Sequence, residues 1–180
     1  MKKEEKLQEI SNHARYLIIS TLINSGMGHP GGSLSAVDVL SALYFEIMNI
    51  DSKNPSWDKR DRFIMSKGHC SLGLLSVLHL KGFITAEDLA TFRLNGSNFG
   101  AHLDLDKMPG VEMSTGSLGH GLSVGVGRAL AAKIDNLDYA LGNSQKKIQK
   151  SELKQTKNLK KGLVAKLNLD KGTIIKKEHI

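Results

Sequence analysis

The 180-residue chain carries 25 Lys and Arg against 18 Asp and Glu, a net charge of +7, and a single cysteine. That length suits one domain of ordinary size with room for an appendage. No window approaches the roughly 20 consecutive apolar residues of a membrane span, and residues 1–6 are too charged to lead a signal peptide, so a soluble, cytoplasmic protein is expected. The lone Cys70 excludes an internal disulfide, suits a reducing compartment and has no partner ligands at metal-site spacing.

Along residues 5–24, Leu7, Ile10, Ala14, Leu17, Ile18 and Leu22 recur at the three-and-four spacing of an amphipathic helix, which Gly26 and Gly28 end. A second helix is predicted from Ser35 to Met48, with Ser35 and Asp38 as a capping pair and Val39, Leu40, Leu43, Tyr44 and Ile47 as its stripe. Residues 49–57, with Asp51, Asn54 and Pro55, read as a loop. The short apolar run Arg62–Ser66 predicts a buried parallel strand delivering its C-terminal end to a loop, the place where ligand sites of open α/β sheets lie. Ser71–Lys81 resumes helical spacing and stops at Gly82, and Thr85 with Asp88 caps a helix running to about residue 94. After loops over 95–116, Ser117–Ile134 reads as a helix with Gly121, Gly125, Gly127, Ala129, Ala131 and Ala132 on several faces. Small residues all round describe a helix packed on every side, either central or at a subunit interface.

Charge divides the chain. Residues 1–137 hold 14 basic and 14 acidic side chains, whereas 138–180 hold 11 lysines and 4 acids, and 15 of the 18 glycines precede residue 137. This break predicts a domain over 1–137 and a separate basic tail over 138–180. The tail has no arginine and only Tyr139 as an aromatic, which argues against nucleic-acid binding; a solvated lysine surface is expected. Within it, Leu163–Ala165 and Thr173–Ile175 read as short strands around the turn Asp170–Gly172.

Four segments carry chemistry. In Met27-Gly-His-Pro-Gly-Gly-Ser33 a histidine stands among glycines that let backbone approach a ligand, and His29 can exchange protons near neutral pH. A plain glycine-rich turn before a helix is the competing reading. The others are Arg60-Asp-Arg-Phe-Ile-Met-Ser-Lys-Gly-His-Cys70, Gly100-Ala-His-Leu103 and Pro109-Gly-Val-Glu-Met-Ser-Thr-Gly-Ser-Leu-Gly-His-Gly121. In content, order and spacing the set resembles the N-terminal part of transketolase, the thiamine-diphosphate enzyme that moves two-carbon ketol units between sugar phosphates. The likeness covers about residues 10–136.

That resemblance implies the α/β thiamine-diphosphate-binding fold, a parallel sheet with helices on both faces, here cut short after its early strands. It further implies that His29 and His102 contact the sugar phosphate and that His69 contacts the cofactor near its diphosphate. Gly116, Ser117 and Leu118 then hold the cofactor's aminopyrimidine, and His120 stands where the family commonly has Gln. Each histidine taken singly could equally be structural. Lys67, Arg62 and Arg93 could attract phosphorylated sugars or anchor loops, and Asp61 reads as an ion-pair anchor for Arg60 and Arg62. The family's Gly-Asp-Gly and later Asn, which hold Mg²⁺, have no counterpart here, nor does the activating glutamate of the next domain. No metal ligand is therefore assigned, and no turnover is expected of the chain alone. The implied partners are a C-terminal transketolase subunit or domain and a second copy in a homodimer. Residues 138–180 resemble instead the linker and opening strands of the antifreeze-like SAF domain of N-acetylneuraminate synthases. That leaves a fusion, a non-catalytic remnant serving as an interaction module, or a divergent extension as alternatives.

Overall fold

Eight consecutive residues, Ser71–Leu78, are all buried, and the helices that precede and directly follow them in the chain gather around them. The computed structural model describes residues 2–141, with side-chain surroundings for 2–134. Its elements are α1 (Lys3–Ser25), α2 (Pro30–Leu34), α3 (Val37–Ala42) running into a π turn at Leu43–Ile47, a 3-10 turn at Gly68–Cys70, α4 (Ser71–Lys81), α5 (Ala86–Ala90) and α6 (His120–Leu141). A helix apolar on every face has to be enclosed, which is why α4, with Leu72, Leu74, Leu75, Val77 and Leu78, takes the centre. It starts and stops as its sequence predicts. Gly82 closes it in the left-handed conformation, donating its N–H to His79 and Leu78 carbonyls.

Helix α1 presents Ser11, Ala14, Ile18 and Thr21 to α3 and α4, and these mostly small side chains admit a close approach. Its end is capped by Gly26, at φ 70°, whose N–H donates to the Leu22 carbonyl at 2.9 Å. The glycine-rich loop beyond is itself partly helical: Pro30 occupies the first position of α2, where its fixed φ and missing N–H cost nothing. Consequently the single helix expected over 35–48 is instead α3 followed by the π turn. Ser35 does not cap it. Its hydroxyl donates to the Gly32 carbonyl, and Asp38 takes Arg15 of α1 at 2.6 Å, so a tertiary ion pair replaces the expected local cap. The predicted stripe is only partly inward, with Leu40 and Tyr44 buried but Val39, in α3, 63% and Ile47, at the end of the wider π turn, 67% exposed.

The strand expected at Arg62–Ser66 is not formed. The segment is extended, with Met65 in the core, yet no strand exists among the described residues for it to pair with, and a strand is defined by its ladder. The predicted capping pair of α5 does form. Asp88 N donates to Thr85 Oγ1 at 3.1 Å and Thr85 N to Asp88 Oδ2 at 2.9 Å, but the helix stops at Ala90 and a turn follows.

Helix α6 begins three residues later than predicted and runs on to Leu141. Of its small residues, Gly121 alone is buried among the described positions. Leu122, Val126, Leu130 and Ile134 form an exposed stripe at every fourth residue, so this helix is not enclosed by the described residues. The predicted strands at 163–165 and 173–175 lie outside the described residues. No described helix is long and apolar enough to cross a membrane.

Truncating Leu75, fully buried in α4, is expected to lower the unfolding free energy by about 2–5 kcal/mol. Leu122→Ala on the open face should change it by less than about 0.5 kcal/mol. Urea denaturation of the two variants checks the contrast.

Candidate functional site

The four segments singled out in the sequence meet at the N-terminal end of α4. At the 3-10 turn, Gly68 is pressed against the Thr115 backbone, so that any side chain at 68 would run into the Thr115 carbonyl. Only glycine permits that approach. Beside it, Cys70 lies buried against Gly32 of α2. Ser71 Oγ donates to the carbonyls of Gly100 and Ala101, at 3.2 and 2.9 Å, which holds the His102 loop to the start of α4. Thr115 N donates to the Leu103 carbonyl at 3.2 Å, and Gly119 N and Gly121 N reach Ser66 O and Ser66 Oγ at 3.3 and 3.1 Å.

This packing places the expected residues as follows. His29, at the N-cap of α2, and His69, in the 3-10 turn, stand edge to face with ring centroids 5.3 Å apart and planes at 74°. His102 lies on the adjoining loop, beside Gly116. Gly116, Ser117 and Leu118 are exposed, with the Leu118 side chain 72% accessible, and His120, also exposed, opens α6. Behind them Thr115 Oγ1 is buried without a hydrogen-bond partner. The result is an open rim carrying imidazoles, bare main chain and an apolar side chain.

The basic residues of the motifs are anchors in this geometry. Lys67 Nζ donates to the Gly32 carbonyl and to Ser35 Oγ, each at 3.0 Å. Outside the four segments, Arg93 takes φ 61°; its main-chain N–H donates to the Phe99 carbonyl at 2.7 Å, and its guanidinium reaches Met27 Sδ at 3.9 Å. Asp61 does not pair with its flanking arginines. Its carboxylate accepts from Asn49 N at 2.7 Å, while Arg60 and Arg62 turn to Glu112, a residue the motifs do not single out. Arg60 grips that buried carboxylate with two bonds of 2.9 and 3.0 Å. Arg62 and Arg128 of α6 approach it at 3.4 and 3.6 Å, and Arg128 also donates to the Glu112 carbonyl. A glutamate between Val111 and Met113 was the available signal, since a carboxylate flanked by apolar residues needs cations brought to it. Burial, and behind it the Glu112 charge, pushes the Tyr44 phenol well above its ordinary range.

Residues 6–151 match the family described as transketolase, thiamine diphosphate binding domain, and the chain belongs to that family. An apulose-4-phosphate transketolase subunit of Phocaeicola vulgatus is 47% identical over 135 residues, 75% of this chain and 48% of that protein. A transketolase of Buchnera aphidicola subsp. Baizongia pistaciae is 42% identical over 127 residues, 70% of this chain but 19% of that protein. Among solved structures, Pichia stipitis transketolase in complex with sedoheptulose-7-phosphate superposes with a TM-score of 0.64 at 36% identity, over 69% of this chain and 18% of that one. The chain thus spans about half the length of the subunit-type relatives. The family match crosses residue 137, so 138–151, grouped with the tail on composition, falls inside the family's span.

The donor set fits the organic part of thiamine diphosphate. Imidazole N–H groups can serve phosphate or hydroxyl oxygens, and the accessible main chain at 116–118 with the Leu118 side chain can receive a ring. The metal is different: among the described residues no three His, Cys, Asp or Glu side chains group closely enough to hold an ion.

Gly68→Ala is expected to cost about 2 kcal/mol or more, since backbone must move to admit the methyl group, whereas Gly31→Ala, with nothing within 4 Å, should be nearly neutral or stabilising. Thermal melts of the two variants test this. Burial pushes the Cys70 thiol above its ordinary 9.0, against the opposing charge of Lys67. The neutral thiol is the form that folding favours, so its contribution is complete below pH 9.0 and is lost as pH climbs through the higher folded value. The urea midpoint should therefore hold from neutral pH to 9.0 and then fall, and Cys70→Ala should flatten that fall.

Proposed function

We propose that this chain is the thiamine-diphosphate-binding N-terminal part of a transketolase that moves two-carbon ketol units between sugar phosphates. The observation that carries the reading is the meeting of His29 and His69, 5.3 Å apart, with the exposed rim at 116–118 in a member of this family. In this reading His69 binds the cofactor near its diphosphate, and Gly116, Ser117 and Leu118 receive its aminopyrimidine. His29 and His102 face the sugar. When bound, the cofactor would supply a nucleophilic carbanion centre for ketol chemistry. The protein's share is position and proton traffic: His29 can donate to a carbonyl oxygen and take a proton from a hydroxyl, and His102, exposed on the next loop, can hold a donor hydroxyl.

The remaining parts come from elsewhere. In this reading the Gly-Asp-Gly and Asn with which the family holds a Mg²⁺ ion on the diphosphate have no counterpart in this sequence. The relative from Phocaeicola vulgatus is named a subunit, which supports pairing with a C-terminal transketolase subunit; a cytoplasmic location and a homodimeric assembly are part of the proposal and rest on the family resemblance alone.

Calorimetric titration of the 180-residue chain with thiamine diphosphate is expected to show saturable binding, weakened about ten-fold or more by His69→Ala, a loss of about 1.4 kcal/mol. In a coupled assay with thiamine diphosphate and Mg²⁺, ketol transfer from a pentose phosphate should be absent with the chain alone, because the metal ligands and the activating glutamate are both missing. A flat titration, or a His69→Ala affinity equal to the parent's, would overturn the reading.

A further inference from the structure

His29 and His69 belong to different elements, and the structure contains one polar tie between those elements. The His69 element is the turn that begins at Lys67, closed by Cys70 N donating to the Lys67 carbonyl at 2.9 Å. The His29 element is α2, which His29 caps and to which it is joined by Ser33 N donating to the His29 carbonyl at 3.2 Å. The Lys67 amine spans the gap. It donates to the Gly32 carbonyl and to Ser35 Oγ, both at 3.0 Å, and Ser35 Oγ donates in turn to that same carbonyl at 3.0 Å.

Both acceptors sit where α2 ends, and α2 has no basic residue in its last turn. Carbonyls there lack intrahelical donors and carry partial negative charge. An ammonium group delivered from another segment supplies the missing cation and, unlike an apolar contact, does so with direction. The other contacts here are steric, Gly32 against Cys70 Sγ and His69 Nε2 and, one turn on, Ser33 against Gly73 of α4; they set the spacing of the two elements but carry no hydrogen-bond direction. Lys67 has only neutral oxygens as partners among the described residues, so no competing carboxylate there draws the amine away from α2.

We propose that Lys67 is a positioning residue: its amine locks the end of α2 to the His69 turn and thereby sets the edge-to-face arrangement of the His29 and His69 rings. The inference deepens the cofactor-site reading and rests on it for its functional meaning, while the geometric lock stands independently. Lys67 itself touches neither cofactor nor sugar. It acts through the two imidazoles.

The test is histidine-selective NMR on the 180-residue chain. The parent should show a cross-ring nuclear Overhauser effect between His29 and His69 and a ring-current shift on His29. Lys67→Met keeps the stem and loses the donors, so the cross-peak and the shift should disappear, with thiamine diphosphate affinity falling about ten-fold; Lys67→Arg should restore both. If Lys67→Met does not fold, Ser35→Ala, which removes one acceptor, should weaken the cross-peak in a folded chain. A cross-peak of parental strength in Lys67→Met, or in Ser35→Ala where that variant must serve, overturns the lock. If the parent fails to bind thiamine diphosphate yet Lys67→Met loses the cross-peak, the cofactor reading falls and the lock survives. If the parent binds and the cross-peak is unchanged in Lys67→Met, the lock falls and the cofactor reading survives.

Discussion

No side chain stands between the Gly68 turn and Thr115, and the arrangement of the site depends on that bare contact. Backbone against backbone is as close as two loops can come, and it brings the 116–118 rim up to the turn that carries His69. The same turn leads without a break into α4, whose buried leucines fix it to the core. Core packing is thus transmitted to the rim through one glycine rather than through a flexible loop. The Ser71 hydroxyl extends the principle to a third segment by binding two successive carbonyls next to His102.

Electrostatics in this region is devoted mainly to architecture. Cations flanking the proposed substrate rim invite the idea that they collect anionic ligands, and the sequence supports that as well as it supports anchoring. In the structure the amine of Lys67 is committed to α2 and the guanidiniums of Arg60 and Arg62 to Glu112. What the rim itself offers is imidazole and main chain, groups able to donate hydrogen bonds without a fixed charge. That suits polyhydroxyl ligands whose recognition turns on direction more than on attraction.

Legibility in the sequence followed the range of the forces involved. Helix α4, its stop at Gly82 and the Thr85–Asp88 cap depend on residues within one or two turns, and each was readable. Ser35 and Asp38 have the same local signature but did not form a cap, because Arg15 on another helix claimed the aspartate. The run Arg62–Ser66 has strand composition, yet a strand is a property of two segments, and its neighbour is not among the described residues. Likewise the small residues of α6 describe what could pack there and not what does. The site was legible for a different reason: four motifs in order identified a family, whereas no rule of spacing foretold that Gly68 would be the point where they touch. Glu112 stayed hidden because its three arginine partners lie on either side of it in sequence and converge only in space.

That carboxylate carries an asymmetry of its own. Three guanidiniums share one anion unequally: Arg60 holds it with two short bonds while Arg62 and Arg128 stand at 3.4 and 3.6 Å, so the loss of either outer arginine leaves the glutamate still neutralised. Loss of the glutamate leaves a knot of positive charge, part of it buried, that has lost the carboxylate it converges on. The cluster is therefore fault-tolerant at Arg62 and Arg128 and brittle at its hub, where Arg60 and Glu112 hold each other by two bonds.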